Sequence, residues 1–217
     1  MTHCREDALK HYWPKEPKFN ACPWWHVPPS HIQAFFPEHD PYQGADLFAV
    51  VWDPYDRIIT SEYYCANNNQ KTDPNQVVDQ FNSKIFQCLS RYSAGMRPGD
   101  TARKIAGNDV YYFSTSSGHY IPQYYDFVYN NHHERLIEHV LRFENLETEF
   151  DALVMELYGM PLRLPEEKYR FGAGKELGVH NLTQKNILLI EKIYWNDFKE
   201  FGYEMLISRN ENKSKAL

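Results

Sequence analysis

The sequence predicts an α/β fold in which a mainly parallel sheet is flanked by helices. Residues 47–52 (LFAVVW) form a short, continuously apolar segment of the kind that is buried on both faces of a parallel sheet. Residues 139–143 (HVLRF) predict a second buried strand. Each segment is followed by a stretch with helical spacing of apolar residues, and this alternation of strand and helix is typical of layered α/β folds.

The length of the chain predicts how it is organised. Its 217 residues, with a mass of 25.8 kDa, suit one compact domain over residues 1–217 and are too few for two domains of ordinary size. Residues 1–29 show neither helical nor strand periodicity, and only residues 5–12 suggest a short helix. We therefore expect the regular structure to begin after an irregular N-terminal segment.

The first helix is predicted to follow the first strand directly, over residues 54–67. Asp53 is a good N-cap residue, and Pro54 suits the first helical turn. The apolar stripe of this helix consists of Ile58, Ile59, Tyr63 and Tyr64. A second helix is predicted over residues 74–92, where apolar residues recur at helical spacing after a Thr-Asp-Pro start.

The rest of the chain is predicted to contain two more helices, each of which ends at a glycine. The predicted segments are, in chain order, a loop at 97–117, an aromatic stretch with room for one strand at 118–129, a helix at 145–159, a loop at 161–178 and a helix at 183–201. Gly159 and Gly202 are fitting helix ends, and Thr183 is a good N-cap residue.

Composition argues against some functions. The net charge of -6, from 23 basic and 29 acidic residues, argues against a broad electrostatic grip on nucleic acid. The sequence has no run of about 18 apolar residues that could span a bilayer, and residues 1–10 lack the apolar segment of a secretory signal peptide. Aromatic residues make up 16% of the chain, which predicts a core and a cleft built from large planar side chains.

The four cysteines do not suggest a metal site. They include no C-x-x-C pair and no His at zinc-finger spacing, so we expect no structural metal. Cys65 and Cys88 fall near the ends of two successive predicted helices and could pair in an oxidising compartment. The alternative is that both are buried thiols.

The turn after the first strand is the predicted ligand edge. In parallel sheets, ligands bind beyond the carboxyl ends of the strands, where the N–H groups of helix starts face outward. Arg57, Thr60 and Ser61 on the first turns of the helix could hold a phosphate there through hydroxyl and helix-dipole contacts. A plainer interpretation is that Asp53 only caps the helix and that Arg57 pairs with a neighbouring carboxylate.

A family resemblance gives this turn a more definite interpretation. Residues 48–64 (FAVVWDPYDRIITSEYY) resemble the strand and helix that bind the 3'-phosphate of the sulfate donor in carbohydrate-type sulfotransferases. The family pattern there is V-R-[ND]-P-[YI]-[DE]-R-x-x-S. Three further segments resemble the same family in the same order, namely residues 25–29 (WHVPP), 140–146 (VLRFENL) and 182–203, which closes with D-F-x-x-F-G-Y.

The resemblance covers most of the chain. Residues 118–123 (GHYIPQ) are similar to a G-H-x-x-P-Q element that some members of the family contain. The matched segments together span residues 24–204, which leaves residues 1–23 as an irregular segment and residues 205–217 as a tail. Several matches in the family's order are more specific than any one of them alone.

The resemblance implies a P-loop-type sulfotransferase fold. It also implies transfer of a sulfuryl group from 3'-phosphoadenosine 5'-phosphosulfate (PAPS) to a hydroxyl of a carbohydrate or similar small acceptor. His26 matches the histidine base of the uronyl sulfotransferases in order and context, and an imidazole with an ordinary pKa of about 6.5 suits that role. His119 is the second candidate, as a base or for acceptor binding. The alternative for His26 is a place in an aromatic cluster beside Trp24 and Trp25.

The resemblance further implies which residues hold the donor, without a metal. These residues are Asp53, Arg57, Thr60, Ser61, Arg170 and Lys175. The first four would contact the 3'-phosphate, and the last two lie in a loop where many relatives place basic residues over the nucleotide phosphates. The alternative for Arg170 and Lys175 is that they are ordinary solvated charges. Relatives usually lie in the Golgi lumen behind an N-terminal anchor, which this sequence does not show, so the compartment stays open.

The sequence departs from the family pattern at two places. Trp52 stands where the 3'-phosphate segment normally has Arg, and Thr60 replaces Ser while it keeps the hydroxyl, with Ser61 beside it. Upstream, the strand and P-K-[TA]-[GA]-[ST]-[TS] loop that hold the 5'-phosphosulfate have no counterpart, because residues 15–18 (KEPK) do not match. We therefore expect an N-terminally truncated enzyme or, alternatively, a degenerate, non-catalytic module that binds a glycan or a partner.

Overall fold

The computed structural model describes residues 42–66, 74–93, 102–106, 109–112, 120–125, 127–130, 132–162 and 177–207, with the short stretches 19–20, 29–30, 33, 37 and 164. Only the backbone is described for residues 19–20, 62–66, 74–76, 91–93, 102–106 and 109–112. The predicted helix at 5–12 and the side chain of Cys65 lie outside the described residues. Cys88, its suggested partner, is buried.

The described part of the chain contains five strands and five α-helices. The strands are β1 (Phe19–Asn20), β2 (Phe48–Val51), β3 (Ala102–Ala106), β4 (Asp109–Tyr112) and β5 (His139–Arg142). The helices are α1 (Pro54–Ala66), α2 (Pro74–Ser93), α3 (Leu146–Tyr158), α4 (Gln184–Ile193) and α5 (Trp195–Phe201). Short 3-10 turns lie at Phe143–Asn145 and Val179–Asn181. Among the helices described, none has the length and apolar character needed to cross a membrane.

The chain divides into two compact units. The hairpin unit contains Met1–Leu47 and Met96–Glu138, and the helical unit contains Phe48–Gly95 and His139–Leu217. The helical unit is therefore assembled from two separate stretches of chain, the first with β2, α1 and α2 and the second with β5 and α3 to α5. The prediction of one domain over residues 1–217 stays a prediction.

A two-stranded parallel sheet organises the helical unit. Strand β2 pairs with β5 in a register that runs from Phe48 opposite His139 to Val51 opposite Arg142. The predicted α/β class is thereby confirmed, and this sheet is parallel. Because both strands run in the same direction, the turn between β2 and α1 and the turn after β5 lie at the same carboxyl edge.

The prediction that the first strand is buried on both faces is wrong. Phe48 and Val50 are 47% and 40% exposed, whereas Val51 is buried. Side chains alternate between the two faces of a strand, so Phe48 and Val50 mark a solvent-facing side. The ring of Phe48 meets Phe150 of α3 edge-on, with ring centroids 5.7 Å apart. The apolar run thus marks the strand, but it does not reveal how many of its faces are covered.

Helices α1, α2 and α4 build the core of the helical unit. Helix α2 packs against both α1 and α4, and α5 packs against α4. The buried apolar side chains of this core include Ile58, Ile59, Phe81, Ile85, Leu89, Ile190, Ile193, Tyr194 and Phe198. The helices predicted over residues 54–67 and 74–92 are confirmed, because each observed boundary lies within one residue of the predicted one.

The last helix, predicted as continuous over residues 183–201, is two helices. Tyr194 separates α4 from α5, with φ -97° and ψ 22°, and its side chain is completely buried. Tyr194 N donates to Ile190 O at 2.9 Å, and Phe198 N donates to Tyr194 O at 3.0 Å. The interruption is therefore one residue wide and keeps helical hydrogen bonds on both sides. No Gly or Pro marks the interruption in the sequence, and the residue at the interruption carries a large buried ring.

The predicted helix ends are confirmed at three residues. Thr183 Oγ1 accepts a hydrogen bond from Asn186 N at 3.3 Å, as an N-cap residue does. Gly159 ends α3 and Gly202 ends α5, with φ of 66° and 69°. This left-handed region is the one that glycine enters without strain.

The hairpin unit contains a three-stranded sheet in the order β1-β4-β3. Strands β3 and β4 are antiparallel, and β1 lies parallel to β4. The predicted loop at 97–117 is therefore wrong at residues 102–106 and 109–112, and β1 lies in a segment where the sequence predicted no strand. The connection between β3 and β4 has the sequence Gly-Asn, a hairpin signal that the sequence analysis overlooked.

Candidate functional site

The candidate site lies where β2 and β5 end side by side. The register pairs Val51 with Arg142, so Trp52 and Phe143 follow the two strands at matching positions. Their rings are tilted by 34° with centroids 4.3 Å apart. Trp52, which stands where the pattern that the segment resembles has Arg, makes an aromatic contact, and this side of the turn is apolar.

Asp53 closes the turn as the N-cap of α1. Asp53 Oδ1 accepts hydrogen bonds from Tyr55 N at 2.8 Å and from Asp56 N at 3.3 Å. These are backbone donors of the kind that a helix start leaves without an intrahelical partner. The plainer interpretation of Asp53 as a helix cap is thereby confirmed. A phosphate at this turn could not use the same two N–H groups while the cap is in place.

Glu144 supplies the acceptor for the remaining N–H group of the turn. Asp53 N donates to Glu144 Oε1 at 3.0 Å, and Tyr203 OH donates to Glu144 Oε2 at 3.0 Å. The Glu144 carboxylate thus connects the start of α1 with the chain after α5. The sequence pattern contains Glu144 within the segment VLRFENL but does not predict this role for it. Its position directly after the second predicted strand was the available signal.

The turn is rich in negative charge. Burial raises the pKa of Asp53 above its ordinary value of 3.8. The two backbone hydrogen bonds to its carboxylate act in the opposite direction, and the charges of Asp56 and Glu144 raise the pKa further. A bound phosphate would meet the same neighbouring carboxylates, so it needs cationic partners.

Arg142 is a cation at the same edge. Its guanidinium lies over the ring of Tyr203, 5.2 Å from the ring centroid, and its Nη2 donates to Phe201 O. Its backbone N donates to Glu149 Oε2 at 2.5 Å. Burial raises the pKa of the Tyr203 phenol, and Glu144 raises it further while the charge of Arg142 opposes the shift. Arg142, Glu144 and Tyr203 therefore form one interacting group.

Arg57, Thr60 and Ser61 share one face of α1. Their spacings of three and four residues place them on adjacent turns of the same side. All three are half-buried, whereas Ile58 and Ile59 on the opposite side are buried in the core. The structure therefore brings together a guanidinium and two hydroxyls along the first turns of the helix that Asp53 caps.

The other predicted site residues lie beyond the part of the chain that the structure describes. These are His26, His119, Arg170 and Lys175. Their proposed roles stay predictions from the family resemblance.

A second cluster of aromatic side chains lies within the hairpin unit. Tyr124 stacks on Tyr129 with ring centroids 4.3 Å apart and meets Tyr125 edge-on at 4.9 Å. Tyr124 OH and His133 Nδ1 are 3.1 Å apart, within hydrogen-bonding distance. His133 is exposed and has φ 61°, a left-handed conformation that is uncommon outside glycine. Backbone and side-chain bonds to Asn130 hold this loop.

Comparisons with protein-family models, with curated proteins and with solved structures find no match to this chain.

Proposed function

We propose that this chain is a sulfotransferase-family domain that transfers a sulfuryl group from PAPS to a hydroxyl of a carbohydrate or similar acceptor. The observation that carries the proposal is the half-buried face of α1 with Arg57, Thr60 and Ser61. That face directly follows the strand and turn whose sequence resembles the family's 3'-phosphate segment. A guanidinium and hydroxyls beside a helix start are suitable partners for a phosphate.

In the proposed reaction, the acceptor oxygen forms a bond to sulfur while the bond from sulfur to the bridging phosphate oxygen breaks. The products are the sulfated acceptor and 3'-phosphoadenosine 5'-phosphate. A base must take the acceptor proton, and His26 is the proposed base with His119 as the second candidate. Cationic groups must stabilise the departing phosphate, and Arg170 and Lys175 are the candidates from the resemblance.

The side chains at the turn limit how the 3'-phosphate can be held. Asp53 N is bonded to Glu144, and Trp52 replaces the arginine of the family pattern. A charge-assisted hydrogen bond contributes about 1.5–3 kcal/mol, so the loss of that arginine weakens the site by a comparable amount. We therefore assign the 3'-phosphate mainly to the Arg57, Thr60 and Ser61 face.

The proposal is tested by comparing two nucleotides that differ only in the 3'-phosphate. We expect 3'-phosphoadenosine 5'-phosphate to bind more tightly than adenosine 5'-phosphate in calorimetry and to raise the melting temperature. Arg57→Ala should weaken binding of the first nucleotide by at least about 10-fold, the equivalent of one charge-assisted bond. Lys192→Ala, which removes an exposed cation from α4, is the matched control. Equal affinity for both nucleotides, or none, would contradict the proposal.

A non-catalytic module that binds a glycan is the second candidate. The contact between Trp52 and Phe143 and the occupied N–H of Asp53 favour it, because both remove donor contacts from the turn. The tyrosine cluster around Tyr124 offers aromatic surface of the kind that sugar rings contact. Turnover with labelled PAPS and mixed glycan acceptors that His26→Ala abolishes would exclude this candidate. Glycan binding without turnover, lost in Tyr124→Ala, would support it.

A further inference from the structure

The chain after α5 folds back onto the carboxyl edge of the parallel strands. Residues 202–207, which we call the C-terminal strap, begin at Gly202 and make three hydrogen bonds, one to Glu144 after β5 and two to the buried Tyr55 and Glu191 pair. Tyr203 OH donates to Glu144 Oε2 at 3.0 Å, Leu206 N donates to Tyr55 OH at 3.3 Å, and Ile207 N donates to Glu191 Oε1 at 2.8 Å. The strap is thus attached near its start and at its end.

The two attachments differ in burial. At the end of the strap, Tyr55 OH also donates to Glu191 Oε1 at 2.6 Å, and both of these side chains are buried. At the start of the strap, Glu144 is exposed and Tyr203 is only half-buried. Water competes with hydrogen bonds at exposed positions, so the attachment through Tyr203 is the easier one to break.

The Glu144 carboxylate occupies an anion position at the turn. One of its oxygens accepts from Asp53 N and the other accepts from Tyr203 OH, each at 3.0 Å. A phosphate oxygen would accept from the same N–H group with similar geometry. The carboxylate and a phosphate therefore exclude each other at Asp53 N, and Tyr203 stabilises the carboxylate in that position.

We propose that Glu144 and Tyr203 form a latch that closes the turn between β2 and α1, and that a phosphate group opens the latch by displacing the Glu144 carboxylate from Asp53 N. The inference rests on the proposed function, which assigns the 3'-phosphate to the neighbouring Arg57, Thr60 and Ser61 face, and opening of the latch would add Asp53 N as a further donor. It adds that the Glu144 carboxylate is displaced and that the start of the C-terminal strap moves. The proposed function itself requires neither change.

The charges around the latch fit such an exchange. Displacement of Glu144 removes one negative charge from a turn that keeps the carboxylates of Asp53 and Asp56. Arg142 lies over the ring of Tyr203 and donates to Phe201 O, so movement of Tyr203 uncovers a cation at the same edge. Opening of the latch therefore lowers the repulsion that a bound phosphate meets, and it also exposes the Arg142 guanidinium as a partner for that phosphate.

Gly202 connects the end of α5 to the strap. Its φ is 69°, and a Cβ atom placed on it would come within 2.8 Å of Arg142 Nη2. A side chain here would push the end of the Arg142 side chain aside and would also adopt a strained left-handed conformation. Glycine therefore suits the closed latch at this position.

The test measures binding of 3'-phosphoadenosine 5'-phosphate by calorimetry in the full chain and in two latch variants. Tyr203→Phe removes the bond to Glu144 without a change of charge, and Glu144→Gln removes the charge with little change of shape. We expect each variant to bind about 2- to 10-fold more tightly than the unmodified chain, the range that corresponds to one net hydrogen bond. Tyr158→Phe, at an exposed position on α3, is the matched control and should bind as the unmodified chain does.

Hydrogen exchange provides a second measurement on the same proteins. We expect the nucleotide to accelerate amide exchange at residues 202–205 of the unmodified chain, and each latch variant to show faster exchange there without ligand. Exchange at Leu206 and Ile207 should change less, because their bonds lead into the buried Tyr55 and Glu191 pair.

The possible outcomes separate the latch from the proposed function. Binding by the unmodified chain with unchanged affinity in both variants and unchanged exchange in the strap would overturn the latch and leave the function standing. If neither the unmodified chain nor Glu144→Gln binds the nucleotide, both inferences fail, because the opened turn then does not accept a phosphate. Tighter binding in both variants with unchanged affinity in Tyr158→Phe supports the latch.

Discussion

The starts of helices α1 and α4 satisfy their backbone donors with different chemistry. At α4, Thr183 Oγ1 accepts from Asn186 N and Asn82 Oδ1 accepts from Thr183 N, so the acceptors are neutral. At α1, the acceptors are the carboxylates of Asp53 and Glu144 at the carboxyl edge of the sheet. Asn82 is buried, whereas Glu144 is exposed.

This difference indicates which helix start is structural and which can bind a ligand. Removal of a neutral acceptor from a buried network leaves donors without partners, which is strongly unfavourable. An exposed carboxylate can be exchanged for another anion, because the N–H donor keeps a partner and the carboxylate is hydrated. Mutations at the two helix starts should therefore have effects of different size and kind.

The largest effect is expected for Asn82→Ala. Asn82 Oδ1 accepts from Thr183 N at 2.8 Å and from Asn186 Nδ2 at 2.9 Å, and Asn82 Nδ2 donates to Asn181 O at 2.8 Å. Alanine leaves these groups without this partner, so we expect a loss of about 3 kcal/mol in the free energy of unfolding, measured by urea denaturation.

Gln80→Ala, at an exposed position on the same helix, is the control and should change stability by less than about 0.5 kcal/mol. If Asn82→Ala changed the free energy of unfolding as little as Gln80→Ala does, the hydrogen-bond network at the start of α4 would not stabilise the fold.

The second prediction compares the loss of stability when alanine replaces Gly202 or Gly159, two glycines with nearly equal backbone conformations. Gly202→Ala should reduce stability by about 2 kcal/mol or more, because it adds a contact with Arg142 Nη2 to the strain of a left-handed residue. Gly159→Ala should lose only about 1 kcal/mol, because its φ is 66° and, apart from its own helix and neighbours, no atom of the described residues lies within 4 Å of the added Cβ. Thermal or urea unfolding measures both. Equal losses would show that the guanidinium moves aside and does not fix the strap.

A third prediction concerns the stability at high pH that depends on Tyr55, the buried residue that binds the end of the strap. Burial, with a contribution from the hydrogen bond to Glu191, raises the pKa of the Tyr55 phenol well above its ordinary value of 10.0. The folded state therefore keeps a proton that the unfolded chain releases, so this stability is complete below pH 10 and decreases as the pH rises further. The decrease for this one group is at most about 1.4 kcal/mol per pH unit.

Urea unfolding at pH 8, 10 and 11 measures this decrease. Tyr55→Phe should show a smaller decrease above pH 10 than the unmodified chain, whatever its stability at pH 8. Tyr158→Phe should keep the full decrease. Identical slopes in all three proteins would mean that Tyr55 does not carry this linkage.

The sequence predicts the local caps of both helix starts, Asp53 and Thr183, but not their distant partners. Asp53 and Pro54 are local signals, since a cap residue and a helix-starting proline act within a few positions of the helix they begin. The bonds from Asn82 to Thr183 and from Asp53 to Glu144 join residues that are 101 and 91 positions apart. Local periodicity cannot indicate such partners, so the network at α4 and the latch at α1 emerge only from the fold.

The remaining differences have similar causes. The break at Tyr194 coincides with a completely buried ring, and the exposure of Phe48 shows that one side of its strand is not fully covered. Both depend on tertiary packing that a single segment does not encode. The hairpin of β3 and β4 is different, because its Gly-Asn connection is a local hairpin signal, although its strands lack a continuous apolar run.

The smallest effect is expected at Asp53, where charge and hydrogen bonding can be separated. Asp53→Ala removes the cap and should reduce stability by about 1 kcal/mol at pH 7. Asp53→Asn keeps an acceptor for Tyr55 N and Asp56 N without the charge, and it should change stability by less than about 0.5 kcal/mol. Burial raises the pKa of Asp53, so the folded state binds its proton more tightly than the unfolded chain does.

Stability from this group is therefore highest at low pH and decreases as the pH rises from 3.8 through the raised pKa. Asp53→Asn should abolish that decrease, which urea unfolding between pH 3.5 and 7 would measure. It should also strengthen phosphate binding, because it lowers the negative charge of the turn while the cap stays in place. If Asp53→Asn and Asp53→Ala were equally destabilising and neither changed the pH dependence, the charge of Asp53 would be irrelevant, and the contrast between charged and neutral helix starts would not hold.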